Sequence, residues 1–356
     1  MQMSQLSRIQ RICDANGISG FEDEVVQAIR EEAGTLGQFA EDSLRNLYLY
    51  RTGNRENMPL VLLDAHTDEV GFMVKCIRAD GMLEFIPIGG WVSSNVPAHL
   101  VRVQTNTGKT IPGIVGSKPP HYQSEAERNS TPDIASMYID IGAGSLEEAL
   151  KMGVDVASPI IPEAACIYNE ENNLLFGKAF DCRLGCTTII DVLEDLKGEQ
   201  LQVNLVAGFA SQEEVGCRGA QLSARKVKPD VAICFEGSPA DDTFLPPYQQ
   251  QTIVGKGPML RFIDSKMITN PRFQKFALDI AKKYNIPVQK GVRNGGATNA
   301  SALHLSEQGI PTIVIGIPVR YAHTHWGVSS LNDVRNSVRL ARAMLTHLNE
   351  QIIATF

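Results

Sequence analysis

The sequence lacks several features that mark particular classes of protein. No apolar run reaches the roughly 18 residues that a membrane-spanning helix needs. Lys and Arg total 33 against 40 Asp and Glu, giving a formal net charge of −7. Because affinity for nucleic acids and anionic membranes comes mainly from clustered cations, this balance argues against both kinds of partner. The chain also has no internal repeat and no low-complexity tract.

The seven cysteines form no recognisable disulfide or zinc-finger framework. Their number is odd, they are scattered from Cys13 to Cys234, and Cys182 and Cys186 are the one closely spaced pair. The first seventeen residues predict a short amphipathic helix and contain no apolar core of a signal peptide. We therefore expect reduced, mostly buried thiols and a cytoplasmic location.

The 356 residues suggest about two domains, and the apolar pattern divides them accordingly. Short apolar runs, typical of buried strands, alternate with segments of helical periodicity, which predicts a mixed α/β sheet covered on both faces. The predicted strands are 60–63, 203–209, 231–235 and 311–315, and the predicted helices include 25–33 (starting after Ser19-Gly20), 189–196 and 334–345.

Residues 71–166 have a different pattern. Short β-like pieces are punctuated there by Gly and Pro, and one segment, 145–152, is predicted to be helical. We therefore expect residues 1–70 and 167–356 to form one α/β domain, interrupted by a small β-rich domain at 71–166.

His66 and Asp68 come soon after the predicted strand 60–63. In an extended segment, residues i and i+2 point the same way, so these two side chains share a face. An imidazole that binds a metal usually donates its other N–H to a carboxylate, a role that Asp68 fits. The alternative is a polar loop with a hydrogen-bonded histidine.

Five further residues, at four places in the chain, are acids or a histidine next to a predicted strand or helix. They are Asp181 before the helix expected to start near Arg183, Glu213 and Glu214 after 203–209, Glu236 directly after 231–235, and His323 after 311–315. Each has a plainer alternative: a helix cap for Asp181, turn carboxylates for the glutamates, a surface histidine for His323 or His325. Ligands in open α/β sheets gather at the carboxyl ends of strands, so the positions together indicate one site.

The residue types favour a hydrolytic metal site. Two histidines and several carboxylates suit Zn²⁺, Co²⁺ or Mn²⁺ and do not suit a thiolate site. Two metals that share a carboxylate would together activate water and polarise a carbonyl. Glu213 and Glu214 are adjacent and cannot face one ion through equivalent geometry, so we expect one to be a ligand and the other an acid/base group.

Seven motifs stand in a fixed order along nearly the whole chain. They are AHTDEVGF (65–72), GSKPPH (116–121), ID (139–140), GKAFDCRLG (177–185), SQEEVG (211–216), GKGP (255–258) and RYAH (320–323). In this order they resemble the tetrahedral (TET-type) metallo-aminopeptidases, a family also labelled glucanase or cellulase. The resemblance implies a zinc-exopeptidase-like α/β domain with an inserted barrel- or PDZ-like dimerisation domain, and dimers that assemble into a dodecameric tetrahedron.

The resemblance also implies a role for each site residue. One divalent ion would be held by His66, Asp181 and Glu236, and the other by Asp181, Glu214 and His323, with Asp181 bridging. Glu213 would be the general base, and Asp68 would orient His66. The implied reaction releases the N-terminal residue of a short peptide, with zinc or cobalt, or else manganese, as the two metals in each subunit.

The chain departs from the family pattern at two places. Position 236 is usually Asp, and a Glu there can still ligate these metals if the backbone sits further back. The usual Gly-Gly-Thr-Asp stretch reads Gly-Gly-Ala-Thr-Asn at 295–299, so Asn299 replaces a carboxylate near the site and receives no catalytic role. The preferred N-terminal residue stays open, with Lys266, Arg261 and Arg293 as candidate walls of its pocket.

Three alternative functions remain open at this point. A related dinuclear amidohydrolase, either a deacylase or a carboxypeptidase-type enzyme, uses similar ligands. A carboxypeptidase needs a cation to bind the terminal carboxylate of its substrate. Arg320 could be that cation, but a structural ion pair would explain its presence equally well. A glycosidase needs two carboxyl groups about 5–9.5 Å apart across the sugar bond, and the adjacent Glu213 and Glu214 are a poor pair for that. The third alternative is an inactive oligomeric scaffold, which the substitution at Glu236 favours and the other intact site residues oppose.

Overall fold

The computed structural model describes the backbone of residues 2–356 and the side chains from residue 5 onward. The helices are α1 (Gln2–Asp14), α2 (Asp23–Ala33), α3 (Glu125–Arg128), α4 (Leu146–Lys151), α5 (Phe180–Asp195), α6 (Arg218–Val227), α7 (Pro271–Lys283), α8 (Ala300–Leu303), α9 (Leu331–Leu345) and α10 (Glu350–Ile353). None of these helices is both long and apolar enough to cross a membrane.

The strands fall into three groups along the chain. The first are β1 (Gly37–Glu41), β2 (Leu47–Arg51), β3 (Leu60–His66), β4 (Gly71–Ile77), β5 (Leu83–Ile88), β6 (Leu100–Gln104), β7 (Thr110–Val115), β8 (Tyr138–Asp140) and β9 (Pro159–Pro162). Next come β10 (Ile167–Asn169), β11 (Leu174–Gly177), β12 (Asn204–Ala210) and β13 (Val231–Pro239). The last are β14 (Met259–Ile263), β15 (Gln289–Val292), β16 (Thr312–Val319) and β17 (Gly327–Ser330).

Eight strands form one mixed sheet in the order β1-β2-β12-β3-β13-β16-β14-β15. The four central strands, β12, β3, β13 and β16, are parallel, while β2 and β14 flank them in antiparallel pairing. The central strands are buried along almost their whole length, because helices cover both faces of the sheet. This burial explains why their sequences are continuous apolar runs.

The two faces of the sheet have separate apolar cores. On one face, residues of α2, α5, α7 and α9 pack against the strands, with Ile29, Ile189 and Val338 among the buried side chains. On the other face, α6 and α8 contribute Ala224 and Leu303 to a smaller core. The predicted fold class, a mixed α/β sheet covered by helices, is confirmed.

The strands between Gly71 and Pro162 close into a barrel in the order β4-β5-β8-β7-β6-β9. It has its own core, which includes Phe72, Val101 and Ile139. The expected β-rich insertion is therefore present as a barrel. The remaining strands, β10, β11 and β17, form a small antiparallel sheet beside the large one.

One helical prediction was wrong. The segment 71–166 contains a second short helix, α3, which Ser124 begins with a capping box that Glu127 completes. The helix predicted at 25–33 is present as α2, which begins three residues after Gly20, and the Ser19 hydroxyl donates to the buried Asp68 carboxylate.

Candidate metal and catalytic site

The site residues converge at one edge of the large sheet. His66 is the last residue of β3, and the turn with Glu213 and Glu214 follows β12, the neighbour of β3. His323 lies in the loop after β16. Because β12, β3, β13 and β16 are parallel neighbours, their carboxyl ends bring these side chains together, as the sequence predicted.

Glu236 lies inside β13 and not directly after a strand, so that part of the prediction was wrong. The parallel pairing of β13 with β16 continues beyond Glu236 to Pro239, which stands opposite Val319. The Glu236 carboxylate is nevertheless within 4.8 Å of ligand atoms of His66 and Asp181.

Asp181 stands at the beginning of α5 without capping it. The capping position is Ala179, no side chain caps this end, and Asp181 and Cys182, joined by a cis peptide bond, have non-helical torsions. The helix-cap alternative for Asp181 is therefore wrong. Regular helical geometry begins after Cys182, close to the expected start near Arg183.

The residues form two groups that share Asp181. Ligand atoms of His66, Asp181, Cys182 and Glu236 lie within 4.8 Å of one another, as do those of Asp181, Glu214 and His323. The His66 Nε2 atom is 3.3 Å from Asp181 Oδ1, whereas the His323 Nε2 atom is 3.6 Å from Asp181 Oδ2. The two oxygens of Asp181 thus face different histidines, which is the arrangement of a bridging carboxylate.

Cys182 is a poor ligand within the first group. Its thiol donates to the main-chain oxygen of Phe235 at 3.1 Å, and burial raises the pKa of the thiol well above its ordinary value. The groups that remain available for a cation there are the imidazole of His66 and the carboxylates of Asp181 and Glu236.

The three glutamates of the site are held in an environment that disfavours their charge. Burial raises the pKa of the Glu236 and Glu214 carboxyls well above the ordinary value, and the charge of Asp181 raises both further. Burial also raises the pKa of Glu213, with Asp68 and Asp181 adding to the effect. A cation between these carboxylates would stabilise their ionised forms.

For the two histidines of the site, in contrast, the surroundings favour the charged form. Burial lowers the pKa of His66 and of His323, but the carboxylates beside each imidazole outweigh it. Asp181 and Asp68 raise the pKa of His66 well above its ordinary value, and Asp181 and Glu214 raise that of His323 to about 9. Both imidazoles therefore occupy positions suited to a positive charge, which a bound metal ion would supply with the rings neutral.

The surroundings of one oxygen atom of Glu236 indicate whether these residues could hold a metal ion. The Oε2 atom of Glu236 is buried and has no hydrogen-bond partner among the described residues. A buried carboxylate oxygen normally has a donor or a cation beside it, so this atom leaves room for an ion. Imidazole nitrogens with carboxylate oxygens are ligands of Zn²⁺, Co²⁺ and Mn²⁺, and the residues present fit such ions.

Asp68 contacts both halves of the site. The Nδ1 atom of His66 is 3.0 Å from the main-chain oxygen of Asp68 and 3.4 Å from its Oδ1 atom. The same carboxylate accepts hydrogen bonds from the backbone N–H groups of Glu213 and Glu214, at 2.9 and 3.1 Å, and from the Ser19 hydroxyl at 2.6 Å. Asp68 therefore fixes the His66 ring and the Glu213–Glu214 turn together.

Glu213 belongs to neither ligand group. Its carboxylate is almost fully buried, and its Oε1 atom accepts a hydrogen bond from the Cys217 thiol at 3.1 Å. A buried carboxyl with a raised pKa, beside two ligand groups, has the position and the proton affinity of an acid/base group.

Sequence reasoning missed a buried charge cluster behind the site. Lys178 and Arg183 both bind the Oε1 atom of Glu69, at 2.5 and 2.9 Å, and all three side chains are almost completely buried. Burial lowers the pKa of Lys178 to about 8. These residues lie within two of the seven motifs, but nothing in their spacing indicates that they meet.

Two other residues have structural roles. Arg320, the candidate carboxylate binder, makes a two-pronged ion pair with Asp242 at 2.6 and 2.9 Å, so the ion-pair alternative is the observed one. Asn299 donates its side-chain N–H to the buried Asp64 at 2.9 Å.

A pocket opens beside the two ligand groups. Its walls include Glu213, Glu236 and His323 on one side and Arg261, Arg293 and Gly295 on the other. Arg261 is buried and its Nε–H has no acceptor among the described residues, whereas Arg293 is paired with Asp241. Lys266, the third cation considered as a pocket wall, is exposed and does not line this pocket.

Comparisons with known proteins show the family and the fold of the chain. The family model of the M42 glutamyl aminopeptidases matches residues 46–340. The chain is similar to the glutamyl aminopeptidase of Lactococcus lactis subsp. cremoris, with 34% identity over 99% of both chains. Among solved structures it resembles a TET aminopeptidase from the marine sediment archaeon Thaumarchaeota archaeon SCGC AB-539-E09, with 35% identity, a TM-score of 0.95 and 99% of both chains covered.

A further similar structure carries information on assembly. The TET1 peptidase of Pyrococcus horikoshii, described as able to form a tetrahedron or a large octahedral shell, has 28% identity and a TM-score of 0.87. The match covers 97% of the present chain and 100% of that one.

Proposed function

Because the chain belongs to the M42 glutamyl aminopeptidase family, and is thus a peptide hydrolase, we propose that it removes N-terminal residues from short peptides with two divalent ions per subunit. One observation carries the proposal. The two oxygens of Asp181 face His66 and His323 separately, which provides two adjacent cation positions beside the buried Glu213.

Each ion would have its own set of ligands. His66, Asp181 and Glu236 would hold one, and Asp181, Glu214 and His323 the other, with zinc or cobalt favoured over manganese. When bound, the two ions supply Lewis-acid activation of the scissile carbonyl and of the attacking water.

Glu213 would carry the proton through the reaction. Its carboxylate accepts a proton from the attacking water as the new C–O bond forms, and returns it to the leaving amine nitrogen as the C–N bond breaks. Glu213 lines the pocket beside both ligand groups without belonging to either, which is the position that a proton acceptor for the attacking water needs. Asp68 holds the backbone of this residue, and so fixes the direction from which it acts.

The family favours substrates with a free N-terminus. The two divalent ions would balance the charge of the four carboxylates around the histidines, so the net charge of the site does not decide this preference. Arg320, the cation considered for the C-terminal carboxylate of a carboxypeptidase substrate, is already neutralised by Asp242, so that residue does not support a carboxypeptidase. A glycosidase is disfavoured because Glu213 and Glu214 lie in one turn, and because it leaves both histidines without a role.

The pocket beside the site favours an acidic N-terminal residue. The Nε–H of Arg261 is buried without an acceptor, so a substrate carboxylate that accepts from it would satisfy it. Arg261 is paired with Asp264 at 3.3 Å through a different nitrogen, which leaves Nε available. Glutamyl and aspartyl peptides are therefore the substrates that we propose.

We also propose a homo-oligomeric assembly, with dimers formed through the barrel, and a cytoplasmic location. Leu100 of β6 and Ile114 of β7 are cross-strand partners on the barrel, and both are about half exposed, which is typical of a covered interface. The TET1 peptidase forms closed shells with a similar fold, which supports a dodecamer here. All seven cysteines are free thiols, as expected in a reducing compartment.

The decisive test uses metal-stripped protein and a panel of aminoacyl-p-nitroanilides, with Zn²⁺, Co²⁺ or Mn²⁺ added back. We expect metal-dependent release, fastest with glutamyl and aspartyl substrates, and a loss of about 10²- to 10⁴-fold in kcat for Glu213→Gln. N-acetylated amino acids run alongside as deacylase substrates. Hydrolysis of the acetylated compounds alone would identify a deacylase, and metal uptake without any hydrolysis would contradict the aminopeptidase proposal.

Metal content after mild purification tests the scaffold alternative separately. An inactive scaffold should contain no stoichiometric metal, whereas the enzyme should contain two ions for each chain. The Glu213→Gln variant is the matched control, because Glu213 is in neither ligand group and its loss should leave the metal content unchanged.

A further inference from the structure

The barrel touches the second ligand group directly. Gly89 and Gly90 follow β5, and a Cβ atom added to Gly89 would lie 2.7 Å from Val70 Cγ1 and 3.3 Å from the Cβ atom of Glu214. A Cβ atom added to Gly90 would lie 3.2 Å from the Nδ1 atom of His323, which is tighter than nine in ten real Cβ contacts. Gly89 therefore leaves space for Val70 and Glu214, and Gly90 leaves space for His323.

The loop that carries His323 has little regular structure to hold it. It runs between β16 and β17, and the backbones of Tyr321 and His323 both have left-handed torsions, with φ of 60° and 61°. Such torsions are unfavourable for residues with side chains and persist where the surroundings enforce them. The His323 side chain is also 39% exposed, so burial alone does not hold it in place.

The next part of this loop is clamped by aromatic rings of the barrel. His325 is almost fully buried, and its ring stacks on that of His99 with centroids 4.0 Å apart and lies 5.0 Å from Trp91. Trp91 is itself fixed, because it stacks on Phe72 at 4.4 Å and donates its indole N–H to the main-chain oxygen of Gly71 at 2.9 Å. The rings of the barrel thus anchor the loop two residues beyond His323.

The contacts of His325 are those of an aromatic ring and not of a hydrogen-bonding group. Neither of its ring nitrogens has a hydrogen-bond partner among the described residues. The shape and surface of the ring are therefore what the contact with His99 and Trp91 uses.

We propose that the inserted barrel positions the second metal group, with Gly90 setting the place of the His323 ring and His325 anchoring its loop between His99 and Trp91. This inference rests on the proposed function, because it requires that Asp181, Glu214 and His323 hold a divalent ion. It makes the barrel part of the active site in each subunit, in addition to any role in assembly. His325 acts here as a positioning residue through His323.

The test measures metal binding by isothermal titration calorimetry of Co²⁺ into the metal-stripped full chain. We expect His325→Ala to weaken one of two binding events by about 10- to 100-fold, the effect typical of residues that orient metal ligands. His325→Phe should bind both ions as the wild type does, because it keeps the stacked ring and loses only nitrogens that make no hydrogen bond. Loss of binding in His325→Phe would overturn the role assigned to the ring.

Gly90→Ala tests the same idea from the barrel side, and Gly144→Ala is its control. The added methyl group at Gly90 meets His323, whereas at Gly144 the nearest atom is the flexible end of Glu148 at 3.4 Å. We expect Gly90→Ala, but not Gly144→Ala, to weaken the same binding event as His325→Ala. If Gly90→Ala and His325→Ala both bind the two ions with wild-type affinity, the role of the barrel is refuted and the proposed function is not affected. If the wild-type chain itself fails to bind two ions, the proposed function is refuted.

Discussion

At the scale of single residues, two buried carboxylates hold the turn that contains Glu213, the proposed acid/base group. The backbone N–H of Gln212, a residue with a left-handed φ of 53°, donates to Glu22 at 3.1 Å. The N–H groups of Glu213 and Glu214 donate to Asp68. Three consecutive amides therefore face anions, an arrangement that fixes the backbone of a turn.

Glu22 provides a prediction about pH and stability. Burial and the nearby charge of Asp68 raise the pKa of Glu22 to about 7, from an ordinary value of 4.5. The folded state therefore binds this proton more tightly than the unfolded state, and the stability contributed by protonated Glu22 is lost as the pH rises from about 4.5 to 7. The wild type should therefore lose about 3 kcal/mol in free energy of unfolding through this group between pH 4.5 and pH 8, and Glu22→Gln should not. The free energy of unfolding of the variant minus that of the wild type should rise by the same amount over this range.

Urea unfolding of the metal-stripped protein at several pH values measures this gain. The exposed Glu56→Gln is the control, because Glu56 has no partner among the described residues and its replacement should show no such trend. A difference between Glu22→Gln and wild type that does not change with pH would contradict the prediction.

Arg261 provides a prediction about specificity. Arg261→Met removes the buried Nε–H that we assign to an acidic substrate side chain. The ratio of kcat/KM for glutamyl over leucyl p-nitroanilide should fall by about 10- to 100-fold, the equivalent of one charged hydrogen bond. Arg293→Met should change this ratio less, because Arg293, unlike Arg261, has no buried nitrogen without an acceptor among the described residues. An unchanged ratio in Arg261→Met, or a preference of the wild type for lysyl substrates, would exclude the proposed pocket.

The convergence of the proposed metal ligands could be expected from the sequence, because each stands in or next to an apolar strand or at the start of a helix. His66 and His323 also combine a metal-binding side chain with such a position. Glu22 gave no comparable signal. Its contact with Gln212 joins residues 190 positions apart, and only the folded chain brings them together.

At the scale of elements, α5 ties the N-terminal segment to the site through one arginine. Arg183 is completely buried and donates to the main-chain oxygens of Cys13, Gly17 and Thr67 and to the Glu69 carboxylate. The segment after α1 therefore reaches the end of β3 through this side chain. Asp181, two residues before Arg183, lies in the non-helical start of the same element.

Arg183→Lys should consequently destabilise the fold, although it keeps the charge. A lysine cannot reproduce the fork of donors, and a buried charged network that loses contacts typically loses about 3–5 kcal/mol in free energy of unfolding. Denaturant unfolding measures the loss, with the exposed Arg11→Lys as a control expected to change it by less than about 1 kcal/mol. Equal stability of the two variants would show that the network is unimportant.

The sequence predicted the central strands better than the edges of the sheet. β3, β12, β13 and β16 are buried on both sides and are therefore continuous apolar runs. The strands outside these four, β1, β2, β14 and β15, were not predicted. β1 and β15 are mostly exposed or partly exposed and contain Gly and Gln, which weakens any periodic pattern. β2 and β14 were missed although most of their residues are buried.

At the scale of the whole molecule, the barrel has two separate surfaces. One contacts Glu214 and His323 of the same chain through Gly89 and Gly90. The other exposes the cross-strand pair Leu100 and Ile114. A substitution on the second surface should therefore change assembly without changing the site.

The double variant Leu100→Glu/Ile114→Glu tests this separation. Two carboxylates buried in an apolar interface without partners would prevent dimers from forming, so the variant should form a smaller species than the wild type. The expected mass of a wild-type dodecamer of the 38.9 kDa chain is about 470 kDa. Mass photometry measures the size, and Leu305→Glu, which changes a leucine that is 75% exposed outside the barrel, is the control. Because neither residue lines the pocket beside the ligand groups, hydrolysis of glutamyl p-nitroanilide should persist in the smaller species. A wild-type mass in the double variant would place the dimer interface elsewhere, and a small but inactive species would mean that the site depends on assembly.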